Sequence, residues 1–95
     1  MEITYGVEYH SLVVHQDIPA LDVKWRTAIK DAIEKKLMVS PEIFGKPLRR
    51  SLKGYRKLRV GDYRVVFRIQ HTTIKILLIQ HRKVAYQKAV QRLGA

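Results

Sequence analysis

The sequence predicts an α+β protein: a small antiparallel sheet packed against helices, in the order β-α-α-β-β-β-α. Two observations carry this reading. Between Asp22 and Leu37, the apolar residues Trp25, Ala28, Ile29, Ala32, Ile33 and Leu37 recur at three- and four-residue steps, which gives one stripe along a helix. Between Tyr55 and His81, three apolar-rich runs are separated by gaps of two residues, the length of a tight hairpin turn.

Taken in order, Ile3 to Val7 is expected as a short opening strand with Gly6 its weak point. Tyr9 to His15 is expected as a short helix, ended by Asp17-Ile18-Pro19. Asp22 is the expected N-cap of the long helix. Ser40-Pro41 stops that helix, because the residue before a proline leaves the helical region. Residues 42 to 54 read as a basic loop with Gly45, Pro47 and Gly54. Three strands follow over Tyr55–Val60, Tyr63–Ile69 and Ile74–His81. A final helix, Lys83 to Leu93, places Tyr86, Ala89, Val90 and Leu93 on one face. There is no repeat and no linker, so residues 1–95 are expected to form a single domain.

Composition narrows the function. The 51 residues from Gly45 carry 14 Lys/Arg and a single acid, Asp62, while the first 44 carry 5 Lys/Arg and 7 Asp/Glu. The sheet half thus holds +13 and the first half −2 of the net +11, which points to a polyanionic partner, most often nucleic acid. The 46% hydrophobic content separates the chain from disordered basic tails. The absence of cysteine excludes disulfides and Cys-based zinc sites. The N-terminus lacks a signal-peptide pattern, and no run approaches the ~20 apolar residues of a membrane span, so a cytoplasmic location is expected. The cations alternate along strands instead of lining a helix, which argues against a membrane-surface role.

Register follows from the turns. A Gly61-Asp62 turn pairs Val60 with Tyr63, Arg59 with Arg64 and Leu58 with Val65. Alternation then gathers Leu58, Val60, Tyr63, Val65, Phe67 and Ile69 on a core face, and Lys57, Arg59 and Arg64 on the other. Pairing Ile69 with Ile74 sets Ile79 beside Arg64 and His81 on the cationic face. Directly opposed like charges destabilise a sheet. A solvated face with splayed side chains explains any one of these cations; the convergence of the group points to an anion site.

Other chemistry is poorly supported. His10, His15 and His71 lack metal-ligand spacing with any acid, so no metal site is expected. Paired carboxylates are missing from the C-terminal half, against two-metal nuclease chemistry. Tyr5 and Tyr9 read as packing residues, and no phosphate-binding glycine loop is present.

The segment from Gly45 to Gly54, the block Leu58-Arg59-Val60-Gly61-Asp62-Tyr63-Arg64, and His81-Arg82-Lys83-Val84-Ala85-Tyr86 together resemble the RelE/ParE superfamily of type II toxins, on the RelE side. The resemblance spans essentially the whole chain. It implies a compact α+β toxin that enters the ribosomal A site and cuts messenger RNA without a metal or other cofactor. In that chemistry the RNA's 2′-hydroxyl attacks the adjacent phosphate. It also implies an acidic cognate antitoxin as partner, beside the ribosome and mRNA.

Carried over by residue, Lys57 and Arg59 match the family's paired strand cations, Arg64 the arginine that holds the scissile phosphate, Arg82 a further basic position, and Tyr86 the C-terminal tyrosine. His81 is an additional titratable group. Tyr86, His81 or Lys57 could move the protons. Lys53, Arg56, Arg49 and Arg50 are the candidate RNA contacts around these. Two alternatives stay open: a ParE-like inhibitor of DNA gyrase, and a non-catalytic RNA-binding module.

Overall fold

A computed structural model describes residues 4–94. The elements are β1 (Gly6–Tyr9), α1 (a widened π-type segment Val13–Asp17 followed by Ile18–Ala20), α2 (Val23–Ala32, continued by Ile33–Leu37), α3 (Pro41–Phe44), β2 (Lys46–Pro47), a 3₁₀ turn (Arg50–Leu52), β3 (Arg56–Val60), β4 (Tyr63–Gln70), β5 (Thr73–His81) and α4 (Ala85–Gly94). The five strands lie in the order β1-β5-β4-β3-β2. The α+β class and the three-strand meander β3-β4-β5 are as expected. The edge strand β1 runs parallel to β5, so the sheet is mixed.

Several boundaries differ from expectation, each for a local reason. The first strand begins at Gly6, not before it. Gly6 does not interrupt it, because its N–H donates to Thr72 O at 2.8 Å. Ile3 lies outside the described residues. The helix expected to stop before Pro19 runs through to Ala20. Pro19 has no N–H to give, and its ring would crowd the carbonyl four residues back. The backbone has already widened there, with Ile18 N–H donating to Val13 O, five residues away.

Asp22 caps α2 as expected, its carboxylate accepting the Trp25 N–H at 2.9 Å. Ser40-Pro41 does end the long helix, and Pro41 then opens α3 at a position where a missing N–H costs nothing. The expected loop at 42–54 holds more structure than its composition suggested. Lys46–Pro47 pairs with β3 as a two-residue strand.

Both sheet faces are covered. On one, α1 and α2 bury Val13, Ile29, Ile33 and Leu37 against Leu58, Val65, Phe67, Ile74, Ile76 and Ile79. Trp25 and Tyr63 pack against the margin of this core, but Ala28 is exposed. On the other face, α4 and the 3₁₀ turn form a second, smaller core of Leu52, Val66, Leu77, Leu78, Ala85 and Ala89. Tyr86 packs against it, whereas Val90 and Leu93 are 41% and 39% exposed, so the buried face of α4 is narrower than expected. No helix among the described residues is long and apolar enough to cross a membrane.

A buried ion pair ties these layers together. β1 pairs no further along β5 than Ile76. Just beyond, the Ile79 N–H donates to Asp17 at 2.9 Å and the Leu77 carbonyl accepts from Arg92 at 2.9 Å. Arg92 and Asp17 also bond to each other, at 2.8 and 3.1 Å. Two side chains from α1 and α4 thus satisfy strand groups that a longer β1 would have paired.

Candidate RNA-binding and catalytic site

The β3–β4 hairpin pairs as the turn dictates: Val60 with Tyr63, Arg59 with Arg64, Leu58 with Val65. Gly61 takes a positive φ of 56° and Asp62 does not, the pattern of a type II′ turn. Trp25 leans over this turn and stacks on Tyr63 with ring centroids 4.9 Å apart.

Lys57, Arg59 and Arg64 project from the face opposite this stack. β2 adds Lys46, directly opposite Lys57. With Phe44, these four cations line a cleft of about 120 Å³. Arg64 forms its floor and is only 8% exposed. Its Nη1 donates to Gly61 O and Tyr63 O, both at 2.9 Å, which fixes the guanidinium against the turn. Among the described residues it has no carboxylate within 4.0 Å. A buried, oriented guanidinium without an anion partner is the arrangement that an incoming phosphate would complete. Lys57 Nζ lies 5.6 Å from the Tyr86 ring centroid, within cation–π range, which brings α4 to the edge of the cleft.

Not every expected residue joins this cleft. His81 was expected on the cationic face, with Ile79 beside Arg64. The structure pairs Arg64 with Gln80 and Tyr63 with His81. A bulge causes the change: Val66 pairs with Leu78 but Phe67 with Ile76, leaving Leu77 as an extra residue. His81 therefore stands beside Tyr63 on the opposite face, edge-on at 5.7 Å, and its Nδ1 accepts the Lys83 N–H.

Arg56 also faces away, paired with Phe67, and its Nη1 donates to Gly45 O at 2.9 Å. It holds the backbone that leads into β2. Arg82 is exposed next to the β3–β4 turn, its backbone N–H donating to Asp62 O and its Nε 4.0 Å from the Asp62 carboxylate. Lys53, Arg49 and Arg50 are exposed on and beside the 3₁₀ turn, outside the cleft lining. Lys46 was not among the expected site residues. The only hint of it was a lysine before Pro47 in a segment with no strand periodicity.

On the face covered by α1 and α2, an apolar groove runs between these two helices past Val7, Val14, Ile33 and Met38. At its edge, burial pushes the Tyr9 phenol above its ordinary pKa, and the nearby Glu34 carboxylate adds to the rise.

The model of the family described as ParE toxin of type II toxin-antitoxin system, parDE, matches residues 9–86. The chain is 36% identical over 86 residues to a Mycobacterium tuberculosis protein named Toxin RelG, covering 88% of this chain and 98% of that one. It is 35% identical over 74 residues to one named Toxin RelE from the same organism, 76% of each. A solved structure of the RelBE2 toxin–antitoxin complex of M. tuberculosis matches with a TM-score of 0.77 and 34% identity, over 84% of this chain and 93% of that one.

Proposed function

Because the chain belongs to the ParE toxin family of type II toxin–antitoxin systems, and to its RelE-like side, we propose that it is a ribosome-dependent endoribonuclease. It cleaves messenger RNA in the ribosomal A site and so stops translation in the cytoplasm. The observation that carries this reading is the cleft of Lys46, Lys57, Arg59 and Arg64, with a buried arginine that has no counter-ion among the described residues.

The reaction proceeds by attack of an RNA 2′-oxygen on the adjacent phosphorus. The new P–O2′ bond forms as the P–O5′ bond breaks, leaving a 2′,3′-cyclic phosphate and a 5′-hydroxyl. Negative charge grows on the phosphoryl oxygens, and a guanidinium already locked by two carbonyls stabilises it without reorganising. Arg59 and Lys46 hold the flanking phosphates. One proton leaves the 2′-hydroxyl and another reaches the departing 5′-oxygen. The contact between Tyr86 and Lys57 at the cleft edge favours these two over His81 as proton carriers. No metal is required in this scheme. Among the described residues no carboxylate lines the cleft, which supports that reading, since hard cations are held by oxygen ligands.

Its partner in the cell is an acidic antitoxin, as the RelBE2 relative is itself a toxin–antitoxin complex. The family's ParE description favours inhibition of DNA gyrase as the second reading. Induced expression followed by mapping of mRNA 5′ ends on ribosomes separates the two. Cuts within the A-site codon are expected, while gyrase–DNA adducts with intact messages would replace the nuclease reading by the gyrase one.

A further inference from the structure

We propose a second RNA-binding subsite at the far end of the same sheet face, built from Arg68, Lys75, His10 and Tyr55. It rests on the nuclease reading for its ligand class but uses none of the residues of the catalytic cleft.

Arg68 lies four residues beyond Arg64 on β4, so the two side chains share a face about 14 Å apart at ~3.4 Å per residue. Arg68 is paired directly with Lys75 across β5. This repeats the like-charge opposition of Arg59 and Arg64, a placement that destabilises a sheet unless an anion relieves it. Among the described residues, neither Arg68 nor Lys75 has a carboxylate within 4.0 Å, although Glu8 is paired beside Lys75 on β1.

The place is concave. Arg68, Lys75, His10, Tyr55 and Glu8 line a cleft of about 210 Å³. His10 Nδ1 accepts the Leu12 N–H at 3.1 Å, which leaves Nε2 to carry the ring proton as a donor. Two cations, a ring N–H, two tyrosine rings (Tyr55 and Tyr9) and a single carboxylate acceptor match the parts of a nucleotide: phosphate, base face and hydroxyl or amine. An acidic peptide would use the cations but find no use for the aromatic faces; Glu8 repels either polyanion, so the rings and not the carboxylate decide between them. The second core, with α4 above it, lies between the two cationic ends. An RNA bound at both would therefore cross that raised middle.

The test uses the intact toxin and a fully 2′-O-methylated pentaribonucleotide, which cannot be cleaved. Amide shifts of Arg68, Lys75, His10 and Tyr55 are expected to titrate with it, and still to do so in Arg64→Ala. The Arg68→Gln/Lys75→Gln pair should weaken affinity at least tenfold. It should also flatten the slope of log affinity against log salt by about 1.4, the value for two single-strand phosphate contacts.

Shifts confined to the Arg64 cleft, or unchanged affinity and slope in a folded double variant, would overturn the proposal. So would shifts at these residues with an acidic peptide but none with RNA. If the double variant fails to fold, the wild-type titration alone decides. Crosslinks from position 68 on programmed ribosomes should fall on message or on ribosomal RNA, which identifies the source; crosslinks to neither count against the site. Messenger cleavage by the wild type is scored separately, so its absence would remove the nuclease reading while the oligonucleotide titration still judged this site.

Discussion

Arg64 shows how one residue can be recognised from its neighbours. Its pairing with Arg59 follows from a two-residue turn and strand alternation alone, and the structure reproduces that pairing residue for residue. What the sequence could not convey is its burial and its two bonds to carbonyls at the turn, which arise only once the hairpin is folded. Arg64→Ala is predicted to lower the single-turnover cleavage rate on bound message by ~10²–10³, the scale of losing one preorganised donor. Tyr86→Phe keeps the ring against Lys57 and removes only the hydroxyl, so it should slow the chemical step with little change in binding. His81→Gln should leave that step near the wild-type rate, because His81 stands across the sheet from the cleft. A His81→Gln defect as large as that of Tyr86→Phe would reverse the assignment. His81 was misplaced on the cationic face for a definite reason: one extra residue, Leu77, inverts every side chain after it, and nothing in Leu77-Leu78-Ile79 announces a bulge.

At the scale of elements, α2 was legible because its stripe is long and its cap is an aspartate. β2 was not, because two residues carry no periodicity, and Lys46 was lost with it. The join between α1, β5 and α4 was equally hidden. Asp17 reads as punctuation before Ile18-Pro19, and Arg92, 75 residues away, as one more surface cation. In the fold Asp17 is 1% exposed and holds both the strand edge and the terminal helix. Removing one partner of such a pair leaves a buried charge unmatched, so Asp17→Ala is predicted to destabilise the protein by about 3–5 kcal/mol. Chemical denaturation measures it, and a loss below 1 kcal/mol would show the pair to be dispensable. Phe67→Ala, in the main core with no exposed surface, should cost about 3–5 kcal/mol by the cavity it leaves. An unchanged denaturation midpoint would contradict the packing of α2 on this face.

For the molecule as a whole, the division of charge was readable from the first, since it needs only counting. The structure adds direction: Lys46, Lys57, Arg59 and Arg64 share one cleft, while Arg56 faces the opposite side and serves the backbone. Ribosome affinity should fall steeply as salt rises, and the Arg59→Ala/Arg64→Ala pair should flatten that dependence. An identical salt slope would mean that the cleft does not meet phosphate. The central claim is that this cleft drives transesterification by the message's own 2′-hydroxyl. Its most direct test is single-turnover cleavage on ribosomes programmed with a message carrying either a 2′-hydroxyl or a 2′-hydrogen at the scissile nucleotide, with EDTA-treated toxin in excess. The hydroxyl message should be cut to a 2′,3′-cyclic phosphate and the deoxy message left whole; equal cleavage of both, or cleavage of neither, would contradict the account.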